Sequence, residues 1–494
     1  SGLKRLEVLR DGAAAIYGAD AVAGVVNTVL RDDMNNWTVS SQYGGAEGTG
    51  MREFNFSLYG GKDIAEGRGN VSLFFNYDHR DELTTLEQDY TASDDKRPLF
   101  AGTGFENNSS LNGVSSLTPW GQFTLNSPAT YGGESFTTFT IQPDSMANCA
   151  ASLGNGLCLK KTTTVDPALR ADTAQEDLTV IPEVDRFNLF LTGRYQINDA
   201  VEAFGELGGY YAKSPARQAP INTLSSVVMT IPGTNYYNPF GQDIRLTGYR
   251  FNDMGPINVD VTNQQYRILG GLRGDWRGWN WESALLWSEA SAKDVSDNIS
   301  TTRLAEWAAK STPDAYNFFN GGDPANPRFG DATPSDQAAL DAIRVDMVRK
   351  TKTELGLWDF KVSRPDLFQL PAGPVGMAAG IEFRTETQLD DRDSRIDGTI
   401  RYTDKSGATY SDLINSAENP DTYGERDVFS AYLEFAAPLV SPEMGVPLVH
   451  NLEVQLAGRF ENYSDFGDVA KPKIAAAWDL VDGFRVRGSW AQGF

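Results

Sequence analysis

Residues 376–388 of this 494-residue chain read GMAAGIEFRTETQ, a stretch in which apolar and polar side chains alternate. The odd positions from Met377 to Phe383 are apolar, whereas the even positions carry charged residues such as Glu382 and Arg384. Successive side chains of a β-strand point to opposite faces, so the alternation predicts a strand with one apolar and one charged face. An alternating run of about ten residues or more, with charges on its polar face, is typical of a strand that crosses a membrane.

The same alternation recurs at residues 71–79, 451–461 and 484–490, with Phe74 as an exception to the pattern. Together with similar runs rich in aromatic and β-branched residues, it predicts thirteen strands and an all-β, antiparallel fold. Their approximate bounds are 36–44, 51–62, 68–80, 183–198, 200–213, 262–275, 279–292, 348–363, 374–390, 425–438, 448–463, 470–480 and 483–494.

The links between these predicted strands are sorted by length. All long links fall on one side of the predicted sheet: 81–182, 214–261, 293–347 and 391–424. Short links occupy the other side: 63–67, 199, 276–278, 364–373, 439–447 and 481–482. Outer-membrane barrels have short periplasmic turns and long extracellular loops, whereas a soluble β-protein has no reason to sort its loops. The sorting therefore predicts a transmembrane antiparallel β-barrel.

Two of the long links carry further signals. Residues 81–182 are rich in Ser, Thr, Asn and Gly and are too long for a plain linker, so we interpret them as a partly self-packed surface structure. Within 293–347, residues 302–310 and 335–347 have helical patterns separated by several prolines, and they predict two small helices.

Cys149 and Cys158 are the only cysteines and lie close together in the long link 81–182. In an exported protein this spacing indicates a local disulfide, although two unpaired thiols are the alternative. Closing so short a loop would stabilise the fold by roughly 2–3 kcal/mol at best.

Composition agrees with a barrel. Glycine (48), phenylalanine (26), tyrosine (19) and tryptophan (10) are abundant. The chain has no apolar run long enough for a transmembrane helix. A mean hydropathy of −0.38 is compatible with membrane strands, because only alternate positions of such strands are apolar. The net charge of −23 argues against nucleic acid, which requires a basic face.

The stretch from Leu3 to Leu30 differs from the rest. It has a short β-like run, residues 6–9, then glycines at 12, 18 and 24, and a second apolar run, residues 25–30. Glycines at such points allow tight turns and close backbone approach. Taken alone, the stretch would fit a buried β-turn-β segment of any globular protein.

This stretch resembles the last part of the plug domain of TonB-dependent outer-membrane receptors. The matching residues are Leu6-Glu7-Val8-Leu9-Arg10-Asp11-Gly12, Tyr17-Gly18, Ala21 and Gly24-Val25-Val26-Asn27. Further resemblance to the family's barrel lies in Tyr236-Tyr237-Asn238-Pro239-Phe240-Gly241, Gly458 to Gly467, Lys471-Pro472-Lys473 and Arg485 to Phe494.

The resemblance implies a 22-stranded barrel with a plug in its lumen. Residues 1–33 would be the end of the plug and residues 34–494 a partial barrel. Thirteen strands are an odd number, so we expect a fragment that lacks the front of the plug, its TonB box and about nine later strands. The implied location is the bacterial outer membrane, in contact with lipid and lipopolysaccharide.

The resemblance also implies a plug–barrel ionic lock. A plug arginine in the position of Arg10 would pair with barrel glutamates, here Glu382 and Glu434, which the alternation places on the inner face of adjacent strands. Two neighbouring carboxylates repel unless a cation lies between them, and arginine can serve both. The alternative is that both are ordinary solvated charges of the lumen.

Ligand-binding residues are not evident from the sequence. Tyr210, Tyr211, Tyr236 and Tyr237 are aromatic candidates for stacking on a ligand, but they would equally fit girdle or loop-packing positions. His79 and His450 lie far apart in the predicted topology, and no catalytic or metal-binding motif is present. We therefore expect no enzyme activity, no cofactor and no metal.

The implied function is energy-coupled uptake of a scarce nutrient, driven by the TonB–ExbB–ExbD complex. The nutrient class stays open between siderophore, cobalamin, oligosaccharide and peptide, because specificity lies in variable loops. A passive channel or a surface adhesion barrel is the alternative, and a soluble glycan-binding enzyme is a more distant one. The plug motif discriminates, since an open pore has no use for a plug.

Overall fold

The computed structural model describes residues 2–9, 24–223, 229–322 and 335–492. In chain order the strands are β1 Leu3–Leu9, β2 Val25–Leu30, β3 Trp37–Gly45, β4 Arg52–Ile64, β5 Gly69–Arg80, β6 Leu83–Thr84, β7 Gln122–Tyr131, β8 Glu134–Pro143, β9 Ala151–Gly154, β10 Leu157–Lys160, β11 Thr179–Ile181, β12 Val184–Asn198, β13 Val201–Gln218, β14 Met229–Ile231, β15 Ile244–Gly248, β16 Ile257–Trp276, β17 Trp279–Ile299, β18 Arg344–Leu370, β19 Gly373–Asp391, β20 Arg401–Thr403, β21 Thr409–Ser411, β22 Thr422–Val440, β23 Asn451–Tyr463, β24 Gly467–Val481 and β25 Phe484–Ala491. The α-helices are α1 Thr301–Ala308 and α2 Gln337–Ile343.

Thirteen strands form one antiparallel sheet, which we call the wall. Its order is β3-β4-β5-β12-β13-β16-β17-β18-β19-β22-β23-β24-β25, so each wall strand pairs with the next wall strand along the chain. All thirteen predicted strands are present, and the antiparallel β prediction is confirmed. The sheet is not closed within the part of the chain that the structure describes.

Several wall strands are longer than the sequence pattern indicated. Strand β18 has 27 residues, whereas about 9–11 residues suffice to cross a membrane. Strands β13, β16 and β17 likewise extend into the predicted loops, which shrink to 219–256 and 300–343. The alternation fades in these extensions because both faces become polar, as where Arg344 of β18 lies 3.4 Å from Asp297 of β17.

The first predicted helix is confirmed as α1, but the second was predicted too long. Ser300 Oγ accepts a hydrogen bond from the Arg303 amide (3.3 Å) and Asp336 Oδ1 accepts one from the Ala338 amide (2.8 Å), so both helices begin at a side-chain cap. Helix α2 ends at Ile343 because β18 begins at the next residue and pairs with β17. No helix among the described residues is long and apolar enough to cross a membrane.

The wall has two chemically different faces. On the outer face, apolar side chains such as Phe383 and Phe429 lie opposite each other across β19 and β22 and are exposed. On the inner face, ion pairs join neighbouring strands, including Arg273 to Glu202 at 2.6 Å and Lys361 to Glu282 at 2.7 Å. This division is the one that the alternation predicts.

The hydrophobic core lies in the four long loops rather than in the wall. We call the described parts of residues 81–183, 219–256, 300–343 and 392–421 the loop domain. Strands from two loops form one sheet in the order β14-β15-β7-β8-β10-β9. All four loops contribute buried apolar side chains to one core, among them Phe123, Phe139, Ile244, Leu304, Phe318 and Ile414.

Polar contacts join the same loops. Lys405 forms an ion pair with Asp243. Asp412 accepts hydrogen bonds at 2.7 Å from the Ser300 hydroxyl and from the Thr302 amide. The loops are therefore parts of one folded unit above the wall.

The two faces predict opposite tolerance to charge at neighbouring positions. Ile268 is on the outer face and Leu269 on the inner face, opposite Glu206. We expect Ile268→Arg to cost roughly 2–4 kcal/mol, as for arginine facing the middle of a bilayer. Leu269→Arg should be tolerated because it can pair with Glu206. Urea unfolding of the full-length protein in lipid vesicles measures both, and equal losses would contradict the assignment of faces.

Candidate functional site

The N-terminal hairpin pairs β1 with β2 and brings two parts of the sequence motif together. Glu7 lies opposite Asn27, whose side-chain amide donates to the Glu7 carboxylate over 3.0 Å. Arg5 Nε donates to the same carboxylate at 2.7 Å. Hydrogen bonds from Arg5 and then Asn27 hold the pKa of the Glu7 carboxyl below its usual range. The motif residues Glu7 and Asn27 therefore fix the register of the hairpin.

A short link, residues 31–36, fastens this hairpin to the wall. The Arg31 amide donates to the Gly2 carbonyl oxygen at 2.8 Å. Lys4 Nζ lies 3.0 Å from Asp33 Oδ2. The link therefore contacts β1 and the residue before it through one backbone hydrogen bond and one ion pair, both close to the wall.

The base of the hairpin rests on the inner face of β5. The Met34 amide donates to Ser72 Oγ at 3.3 Å, and Asn70 Nδ2 donates to the Met34 carbonyl at 2.9 Å. A Cβ at Gly2 would lie 3.6 Å from the Phe74 ring. Phe74, the exception to the alternation, therefore faces inward to contact the hairpin.

An apolar cavity of about 320 Å³ lies at this contact. Phe74 and Phe190 are adjacent across β5 and β12, and they line the cavity together with Leu3 and Leu30 of the hairpin. The contact between hairpin and wall is therefore partly apolar, with open space beside the Phe74 and Phe190 rings.

The other end of the hairpin reaches the far part of the wall. Val8 and Leu9 line a cavity of about 680 Å³ together with Glu453 and Gln455 on β23 and Arg487 on β25. The hairpin thus spans the concave inner side of the sheet, from β5 to β23.

The predicted lock residue Arg10 lies outside the described residues. One of its predicted partners, Glu434, is on the inner face of β22, where Glu434 Oε1 accepts a hydrogen bond from Gln455. Its other oxygen, Oε2, is buried and has no hydrogen-bond partner among the described residues. Gln455 also lines the cavity next to Leu9, the residue that precedes Arg10. A buried carboxylate oxygen without a donor is costly, so the Glu434 site can accept a cation.

Glu382 has different surroundings. Its Oε1 lies 3.1 Å from Arg384 Nη1 and 3.6 Å from Arg459 Nη2, and Arg459 also pairs with Glu461 at 2.7 Å. Two arginines of the wall thus already supply the cations that its carboxylate needs. Glu382 is four positions from Glu434 along the strand pair, about 13 Å. Whether Arg10 pairs with either glutamate stays a prediction.

The sequence of the chain matches the pattern of one known protein family. The pattern of the family described as "TonB dependent receptor-like, beta-barrel" matches residues 222–494, more than half of the chain. The chain belongs to the TonB-dependent receptor family. The wall is accordingly part of a bacterial outer-membrane protein. No match was found among curated proteins.

Solved structures with a similar fold include other members of the family. The siderophore receptor PirA from Acinetobacter baumannii is 13% identical, with 99% of this chain and 48% of that chain covered, at a TM-score of 0.45. The outer membrane transporter YddB from Escherichia coli is 8% identical, with 97% and 46% covered, at a TM-score of 0.47. This chain spans about half the length of these structures.

The four candidate tyrosines fall in three different environments of this receptor. Tyr210 and Tyr211 lie within β13, inside the predicted strand 200–213. Tyr211 is on the outer face, with its ring 6.3 Å from that of Phe187, a girdle-like position. Tyr210 is on the inner face, opposite Asn188.

Tyr236 and Tyr237 belong to the loop domain. The Tyr237 hydroxyl donates to the Pro313 carbonyl at 2.7 Å and so joins two loops. Tyr236 is 53% exposed, and its ring stands perpendicular to that of Tyr237 at 5.0 Å. Of this pair, Tyr236 has the accessible ring that a ligand could stack on, which stays a prediction.

The disulfide prediction is confirmed. Cys149 is bonded to Cys158, with Cα atoms 5.6 Å apart. Cys158 lies on β10 opposite Ser152 of β9, the edge strand of the loop-domain sheet. The bond therefore ties the edge hairpin of this sheet together.

Asp253 is a buried acid in the loop domain that no sequence pattern indicated. The Tyr316 hydroxyl donates to Asp253 Oδ1 at 2.8 Å, and Arg344 Nη2 donates to the neighbouring Met254 carbonyl at 2.6 Å. Burial raises the pKa of the Asp253 carboxyl, against hydrogen bonds from Tyr316 and Ser335 that lower it. Asp253 thus joins the 219–256 and 300–343 loops. The free energy of burying its carboxyl group depends on pH, because the ionised form is the one that burial disfavours.

A raised pKa in the folded state means that the contribution of Asp253 to stability is present at low pH and is lost as pH rises through that pKa. We expect Asp253→Asn to remove this loss and to stabilise the loop domain at neutral pH by roughly 1–3 kcal/mol, since Asn can still accept from Tyr316. Thermal resistance of the loops to proteolysis, measured at several pH values, checks the expectation.

Asp243→Asn is the matched control of opposite sign. The ion pair with Lys405 lowers the pKa of the Asp243 carboxyl, so its contribution is present at neutral pH and is lost on acidification. That variant should lose up to about 1 kcal/mol at neutral pH, as exposed pairs do. Destabilisation of the Asp253→Asn variant at neutral pH would contradict the account.

Proposed function

We propose that this chain forms part of an importer that takes up a scarce nutrient across the bacterial outer membrane, with energy from the proton-motive force. Its energy source would be the TonB–ExbB–ExbD complex acting on the plug. Candidate nutrients are a siderophore, cobalamin, an oligosaccharide or a peptide. The proposed role is binding and transport, with no covalent chemistry.

The observation that carries this proposal is the hairpin on the inner face of the wall. It is held near β5 by Met34, Lys4 and Phe74, and its other end lies beside Gln455. Such a hairpin would obstruct a passive channel. An importer, in contrast, needs a plug element that is bound to the wall at rest and can be displaced during transport. The cavity beside Phe74 and the small number of polar contacts there are consistent with a seat that can be released.

The loop domain supports the receptor half of the proposal. Its shared core fixes the loop surfaces before a ligand arrives, which reduces the ordering cost of binding. Residues 81–182 hold more acidic than basic side chains, which disfavours a strongly anionic ligand. Tyr236 is the residue that we would place in contact with a ligand.

Dependence on energy is the decisive test. Cells that carry the full-length receptor should accumulate the limiting nutrient only when TonB is present and the membrane is energised. Deletion of tonB, or addition of a protonophore, should abolish accumulation but leave surface binding intact. Accumulation that persists in both conditions would favour the passive channel, and binding without any accumulation would favour an adhesion protein.

The ionic lock gives a second prediction. Arg10→Ala should loosen the plug, because the loss of one partner of a buried pair typically costs about 3–5 kcal/mol. Plug resistance to protease and leakiness of vesicles containing the receptor measure the effect. Glu434→Gln should reproduce it, and Glu382→Gln should have a smaller effect since Arg384 and Arg459 already neutralise that site.

Arg5→Ala is the control for this series. Arg5 lies on the same hairpin, but its ion pair with Glu7 at 2.6 Å is half exposed, and exposed pairs contribute about 0–1 kcal/mol. If Arg10→Ala leaves protease resistance and leakiness at the level of the Arg5→Ala control, the lock does not exist.

A further inference from the structure

A group of ligating side chains lies at the end of β5 and β12 nearest the loop domain. His79 and Asp185 are directly opposite each other in the register of these strands, and Glu183 immediately precedes β12. Histidine and carboxylate atoms of His79, Glu183 and Asp185 all lie within 4.8 Å of one another. Ligands of one zinc ion lie about 2.0–2.2 Å from it. Small side-chain rotations would therefore bring all three onto one ion.

The two nitrogens of the His79 ring have separate partners. Nδ1 lies 2.9 Å from Asp185 Oδ1, inside the group of ligating atoms. Nε2 lies 3.1 Å from Asp81 Oδ1, outside it. Metal-bound histidines commonly donate their second ring N–H to a carboxylate, which fixes the ring orientation and the tautomer. Asp81 is placed to do this for His79.

The local charge favours a cation. Asp81, Glu183 and Asp185 surround one imidazole, and the Tyr77 hydroxyl donates to Asp185 at 2.9 Å. The facing cation is Lys213, opposite Asp185 on β13, and it is also 3.9 Å from Asp260. Carboxylates thus outnumber positive groups. The side chains of His79 and Asp185 are about one-third exposed, so an ion can reach them from the outside.

We propose that His79, Glu183 and Asp185 bind one divalent transition-metal ion, of which Zn²⁺ fits best, with Asp81 orienting the histidine. One imidazole nitrogen with two carboxylates suits Zn²⁺ better than Ca²⁺ or Mg²⁺, which take oxygen ligands alone. Water would complete the coordination. The site is separate from the hairpin seat, because it lies on the outer face and at the loop end of the wall.

The position suggests what the ion would do. Asp81 follows β5 and Glu183 precedes β12, so the two mark the beginning and the end of the longest loop. The pairing of β5 with β12 already joins the two ends of the 81–183 loop, and a bound ion would add a side-chain link across this junction. The metal would thereby steady the loop domain on the wall.

The test uses full-length receptor in detergent, treated with a chelator and titrated with Zn²⁺ in a calorimeter. We expect one binding site and a higher melting temperature of the loop domain. His79→Gln should weaken binding at least tenfold and abolish the rise in melting temperature. Asp185→Asn should weaken binding as well.

The second histidine of the chain supplies the control. His450→Gln should leave binding unchanged, since His450 is not among the residues of the site. Nuclear magnetic resonance of ¹⁵N-histidine protein, with the His79 signal assigned by its loss in the His79→Gln variant, reports the liganded ring directly. A Zn²⁺-induced shift at His79 alone supports the site. Unchanged His79 signals, or equal affinity in the wild-type and His79→Gln proteins, would overturn the proposal.

Discussion

The structure depends on one constraint, which is that every strand of the wall must satisfy its backbone hydrogen bonds with its neighbours. In a bilayer no water is available to backbone groups, so an uninterrupted antiparallel ladder is required. Each wall strand pairs with the next along the chain, from β3 to β25. This pairing separates an apolar outer face from a charged inner face, and it places all long links at the same end. The hairpin and the loop domain take their positions from it.

The wall and the loop domain are stabilised by different interactions, namely strand pairing in the wall and a buried hydrophobic core in the loop domain. Most apolar side chains of the wall point to its outer face, and Ile299 at the loop end of β17 is an exception that enters the loop-domain core. The loop domain buries its own core, with fully buried residues such as Phe139 and Tyr316. Four loops would otherwise be independent chains with large conformational entropy. Their common core, the Asp412 contacts and the disulfide convert them into one surface.

The wall could be predicted from the sequence because its period of two is local and repeats thirteen times. Phe74 is an apolar residue at a position where the period of two predicts a polar one. Its ring faces inward and lies next to Gly2 of the hairpin, which explains the exception. The loop-domain sheet could not be predicted, because β7 and β15 pair across more than a hundred residues. The aromatic and β-branched run in residues 134–143 was a signal for a strand there. Contacts between distant segments, such as Arg459 with Glu382, or Asp185 opposite His79, need the register, which sequence pattern alone does not provide.

The four loops should behave as one cooperative unit, and hydrogen exchange of the full-length receptor, measured residue by residue, is the test. Amides of β7, β8, β15 and α1, and that of Ile414, should exchange with one common opening free energy, because they share a core. Exchange at four unrelated rates, one for each loop and all close to those of an unprotected chain, would contradict it.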